Sequence, residues 1–89
     1  MKIGEVVGNV WATRKVESVR SLKMLLVRVL DAELNATGEL LVAADVVDAG
    51  LGDRVIVAVG RAARLAVDDD NAAVSAAVIG VVDSYELQK

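Results

Sequence analysis

The chain has 89 residues, a net charge of −3, 55% hydrophobic residues but only 2% aromatic ones, and neither cysteine nor histidine. Its length predicts one domain over residues 1–89 with a limited core, since chains this short bury roughly 60–65% of the surface they expose when unfolded. Without Cys or His there is no disulfide framework, no thiolate metal site, and neither the commonest metal ligand nor the commonest general base.

Lys2 to Thr13 is predicted as the first strand. Period-2 alternation places Ile3, Glu5, Val7, Asn9 and Trp11 on one face, and Gly4, Val6, Gly8, Val10 and Ala12 on the other. The second set is small and apolar and is expected to face inward, with Gly4 and Gly8 at bends. Trp11 is expected to be a largely buried packing residue, with an interface anchor as the sharper alternative. Arg14 to Lys23 reads as a hairpin loop whose Arg14, Lys15, Arg20 and Lys23 are diluted by Glu17. Met24 to Leu30 is the second strand; its Leu25, Val27 and Val29 share one face, and on the other only Arg28 marks an exposed or interfacial side. Asp31 to Glu39 is expected to be a second loop turning at Asn35 and Gly38.

The stretch from Val42 to Arg64 organises the chain. Leu40 to Ala44 is a compact apolar strand, broken at Asp48–Asp53, where Gly50 and Gly52 are expected to supply positive φ. Val55 to Val59 follows as a run with no polar face, so both of its faces should be covered, by a closed barrel or by another subunit. Arg61 to Val67 suits about two helical turns. Asp68–Asn71 ends them as a solvated acidic turn, lacking the glycine and trailing glutamate of a calcium loop. Ala77 to Val82 is the last strong strand, with Gly80 as a close-approach point, and Asp83 to Leu87 extends its alternation.

These elements predict a mainly all-β fold: a small, five-stranded, OB-like β-barrel with one short helix before the last strand, assembling as a ring. A sandwich usually needs about seven strands. The apolar residues exceed what so small a core can hide, which points to a buried subunit interface. Met1–Glu5 lacks the apolar region of a signal peptide, and no run approaches the ~20 apolar residues of a membrane span, so a cytoplasmic protein is expected.

Five segments in order resemble the EutN/CcmL family of bacterial microcompartment vertex proteins. They are Ile3–Lys15, Lys23–Val27 closed by Leu30–Asp31, Val42–Asp45 with Ala49–Asp53, Gly60–Arg64, and Ala76–Asp83. Val29, Arg61, Ala62, Ala73 and Ser75 depart from the family's usual residues. The resemblance implies a homopentamer capping the vertices of an icosahedral shell, carboxysome or metabolosome, in the bacterial cytoplasm. It also implies hexameric and trimeric shell proteins as partners, and no cofactor, nucleic acid or membrane. Gly60, Arg61, Ala62, Ala63, Arg64, Ser75 and Gly80 become candidate subunit-interface or pore-proximal positions, with Gly50 and Gly52 as turn glycines. Arg64 is expected to bridge to a carboxylate of its own chain or of the next subunit.

Two other functional classes fit the residues less well. An OB-type module binding nucleic acid or protein has only Trp11 and Tyr85 to stack bases and an acidic balance against it. An enzyme would rest on Asp, Glu, Lys, Ser or Tyr, and the spacing of Asp45 and Asp48 fixes no acid/base pair. No catalytic, metal or cofactor-binding residue is assigned.

Overall fold

A computed structural model describes residues 1–84. Five strands are present: β1 (Lys2–Val10), β2 (Met24–Leu30), β3 (Ala36–Asp45), β4 (Arg54–Val59) and β5 (Ala76–Val81). One short helix, α1 (Arg61–Ala66), lies between β4 and β5. The strands close into a barrel in the order β1-β2-β3-β5-β4. The β3–β5 seam is parallel, and the other four are antiparallel. The last strand ends at Val81, so the expected run to Val82 and its extension over Asp83–Leu87 are not continued at Val82, Asp83 or Ser84; the rest of that extension and the tail to Lys89 lie outside the described residues.

Alternation fills the interior as the pattern of small and β-branched residues requires. Val6, Leu25, Val27, Ala43, Val55, Val57, Ala76 and Val78 are fully buried in one cluster, with Leu41 and Val59 packed against it. Their stiff, compact side chains suit a narrow barrel. Gly4 has a steric reason to lack a side chain: a Cβ there would overlap Val27 Cγ1 and lie 3.0 Å from the carbonyl oxygen of Arg28. At Gly80 a Cβ would meet only the Ile56 side chain, at an ordinary 3.5 Å, so the close backbone approach expected there is found at Gly4 instead.

Helix α1 packs on the outside of the barrel. Ala63 joins Ala44 and Ala77 in a second buried cluster, flanked by Leu22, Met24, Val67, Val74 and Ile79. Alanines at the β3–β5 seam let the helix approach closely. The apolar β4 run is thereby explained: Val55 and Val57 face the interior, Ala58 is buried, and Ile56 is half-buried on the other side.

Several expected features differ. Gly8 does not share the inward face with Gly4 and Val6, because the register with β2 shifts between Val6 and Gly8 and pairs Gly8 with Leu26, on the face that carries exposed Val42. The first strand ends at Val10 rather than Thr13, and Trp11 beyond it is 86% exposed, so it is no packing residue within one chain. The second loop is shorter than Asp31–Glu39, because β3 already begins at Ala36. The Asp31 carboxylate accepts the N–H groups of Glu33 (2.9 Å) and Asn35 (3.0 Å), closing the turn early. Leu34 carries the positive φ there (66°), while Gly38 (φ 91°) lies within β3, where the register with β2 shifts. In the β3–β4 turn, Gly52 (φ 86°) has the expected conformation; Gly50 does not, and Asp48 (φ 57°) takes the second left-handed position.

Candidate assembly interface

The helix turn brings most of the candidate positions together. Gly60 has φ 64°, a conformation that favours glycine, and its N–H donates to the Ser75 carbonyl at 2.9 Å. This bond ties the start of α1 to the entry of β5, so Gly60, Arg61, Ala62, Arg64 and Ser75 form one surface around buried Ala63. Arg64 Nε donates to the Asp70 carbonyl at 3.0 Å and lies 3.7 Å from the Asp70 carboxylate. Arg61 Nε reaches the same carboxylate at 3.3 Å. The carboxylate that holds Arg64 is thus in its own chain, and the acidic turn serves as an anchor for two arginines. Gly80 stands apart from this group, paired with Ile56 on the second half of β5.

Gly50 and Gly52 occupy the turn that braces β1. Gly52 N–H donates to Val6 O at 2.8 Å, and Val6 N–H to Asp53 O at 2.9 Å. Gly50 N–H donates to the Asp53 carboxylate at 2.8 Å. Both glycines therefore act in the fold of the single chain.

A cluster that sequence spacing did not disclose stands at the end of β3. The Asp45 side chain is fully buried (0% exposed) and accepts the N–H groups of Val47 (3.1 Å) and Ala49 (2.8 Å). Lys23 Nζ lies 3.3 Å from Asp45 Oδ2 and donates to Asp48 Oδ1 and Ala49 O, both at 3.2 Å. Its hydrogen bond to Asp48, reinforced by Asp45 and opposed by partial desolvation, holds the Lys23 pKa above the ordinary lysine value. Asp45 and Asp48 are thus structural partners of one lysine, and the loop from Arg14 to Lys23 is pinned at its end. Arg20 is likewise engaged, with Glu17. Two of the four basic residues of that loop are therefore neutralised within the chain. Among the described residues no group of three or more acidic, His or Cys side chains could hold a metal ion. Also among them, no helix is long and apolar enough to cross a membrane.

The remaining feature is exposed apolar surface. Trp11, Val16, Leu40, Val42, Leu51 and Leu65 are large apolar residues left open to solvent on a single chain. Two of them, Leu40 and Val42, share one face of β3.

A family model described as ethanolamine utilisation protein EutN/carboxysome matches residues 1–83. The chain belongs to the EutN/CcmL family. It is similar to the bacterial microcompartment shell vertex protein GrpN of Rhodospirillum rubrum, 41% identical over 97% of each chain. It is also similar to the carboxysome shell vertex protein CcmL of a Synechocystis strain, 37% identical over 98% of this chain and 87% of that one. The solved structure of the pentameric GrpN shell protein superposes with a TM-score of 0.90 at 39% identity, covering 99% of this chain and 100% of that one. The five-stranded barrel with one short helix is the fold these shell proteins share, and the relatives are structural components of shells by name.

Proposed function

We propose that five copies of this chain close into a ring that fills a vertex of a bacterial microcompartment shell in the cytoplasm, as a single-domain structural part without catalytic activity. The observation that carries this reading is the near end-to-end similarity to a pentameric shell protein, in both sequence and fold. The physics agrees with it. Flat tiling by six-fold units cannot close, and five-fold units supply the missing curvature. A ring of identical chains uses head-to-tail contacts, in which each copy offers one surface to the next and receives on another. The exposed Trp, Leu and Val side chains are surplus for a monomer and fitting for such a contact.

In this reading hexameric and trimeric shell proteins flank the ring. Gly60, Arg61, Ala62, Arg64, Ser75 and Gly80 are the positions nearest to subunit contacts or to the central opening, while Ala63, fully buried against Ala44 and Ala77, holds the helix on the barrel instead. The loop from Arg14 to Lys23 faces a neighbouring tile. Co-expression with hexameric shell proteins tests the vertex role. Closed polyhedral particles are expected with this chain, and open or elongated ones without it. Closed particles of the same shape in its absence would overturn the reading.

A further inference from the structure

We propose that the cleft between the end of β1 and the start of β2 binds a small apolar monocarboxylate, with the Trp11 indole as its stacking face and the Lys15 ammonium as its counter-ion. This goes beyond the ring reading and does not depend on it.

The cleft has a volume of about 190 Å³, and Asn9, Trp11, Lys15, Leu22, Lys23 and Met24 are among its lining residues. Sites for drug-sized ligands run to roughly 300–1,000 Å³, so this one suits a single ring or a short chain. Its apolar lining is fixed: Leu22 and Met24 are half-buried and pack against the alanine cluster under helix α1. Lys23 is fixed as well. Its three ammonium donors have three acceptors in reach, Asp45 Oδ2 at 3.3 Å and Asp48 Oδ1 and Ala49 O at 3.2 Å. The Lys23 charge is therefore matched within the chain, and this residue shapes the cleft without holding a ligand.

Two groups are left unmatched. Trp is highly buried on average, yet Trp11 is 86% exposed beside this cleft. Its indole offers a large flat face to a ring or a chain. Lys15 is half-buried while Arg14 and Val16 on either side are exposed, so its stem lies against the protein. Among the described residues no carboxylate pairs with Lys15. No acidic side chain lines the cleft, so its free charge is positive and the complementary ligand is an anion. The balance of charges decides which anion. Asp45 and Asp48 stand directly behind Lys23, two carboxylates on one ammonium. A doubly charged phosphate would bring its second charge toward that excess and would meet no second free cation in the lining. One carboxylate satisfies Lys15 and leaves the rest of the ligand to the indole, Leu22 and Met24.

Trp11 is the only tryptophan, so its fluorescence reports on this cleft. The purified full chain is titrated with benzoate at pH 8 and constant ionic strength, beside benzamide as the uncharged isostere and inorganic phosphate as the doubly charged anion. Benzoate is expected to change the emission saturably, in the millimolar range natural to so small a ligand. Benzamide and phosphate are expected to bind about ten-fold more weakly or not at all, since each lacks half of the match. Lys15→Met should weaken benzoate binding about ten-fold, the loss of one charge-assisted hydrogen bond, and Lys15→Arg should keep it. Circular dichroism checks that both fold; should Lys15→Met fail, Lys15→Gln takes its place. Saturation-transfer NMR on benzoate repeats the titration independently of the emission, and there Trp11→Leu should weaken binding as well. A linear, unsaturable response, an equal response to benzamide, or unchanged binding by Lys15→Met overturns the inference. So does a chain that binds no benzoate by either method, as when a subunit contact covers the cleft. The ring reading stands in every one of these cases.

Discussion

Within β3, Ala43–Asp45 and Ala36–Val42 belong to one strand and have different surroundings. Ala43 and Ala44 are buried, paired on β2 and beside the β5 seam, and Asp45 is locked by two backbone N–H groups and Lys23. The first half of the strand has one neighbour and open side chains. Residue size follows the same division. Alanines stand where the helix and β5 must approach, and leucine and valine stand where a partner can be met. One strand thus closes the barrel at its end and leaves surface for assembly at its beginning.

Variants can break this contrast from either side. The largest loss of stability is expected on the sealed side: Leu25→Ala, opposite Ala43, removes a fully buried side chain and should cost about 2–5 kcal/mol in urea unfolding at fixed protein concentration. Gly4→Val forces a Cβ into Val27 and should cost at least about 1–3 kcal/mol; an unchanged midpoint would mean that the strands part easily there. Asp45→Ala leaves the amides of Val47 and Ala49 without their acceptor and should cost about 1–3 kcal/mol, with faster amide exchange confined to residues 45–49 as its signature.

The smaller effects concern charge. Because the Lys23 pKa is raised on folding, its stabilisation is fully present below the unfolded value of about 10.4 and is lost as pH rises through the folded one. Lys23→Met should therefore lower the melting temperature at pH 8 and narrow its gap to the wild type at high pH. A gap that stays constant with pH would show that the lysine acts through its methylene chain. Arg64→Ala should change the stability of the single chain by less than about 1 kcal/mol, since its contacts with Asp70 lie at the surface. Its expected effect is on subunit dissociation; a lowered melting temperature with unchanged dissociation would contradict that.

Much of this architecture was legible because it rests on local pattern. β2 was expected at Met24–Leu30 and is found there. The inward face of β1 was readable at Gly4 and Val6 but not at Gly8, because the register with β2 shifts between Val6 and Gly8 and no period-2 rule foresees it; the unbroken apolar run of β4 announced cover on both sides. The start of β3 was not legible, because Ala36–Glu39 is polar and lies on an exposed hairpin, held there by register with β2. The Lys23–Asp45–Asp48 cluster joins residues more than 20 positions apart, and no spacing rule connects them. Nor does composition distinguish Gly4, where a side chain has no room, from Gly80, where it has. Trp11 shows the same limit, since whether an apolar residue packs inside or waits for a partner depends on the closed barrel.

Every assembly role proposed above depends on five copies of this barrel closing into a ring. Native mass spectrometry of the purified chain at low salt tests it most directly. A dominant species of five 9.3 kDa chains is expected. A six-chain ring would contradict the vertex geometry, and a single chain at micromolar concentration would contradict assembly itself.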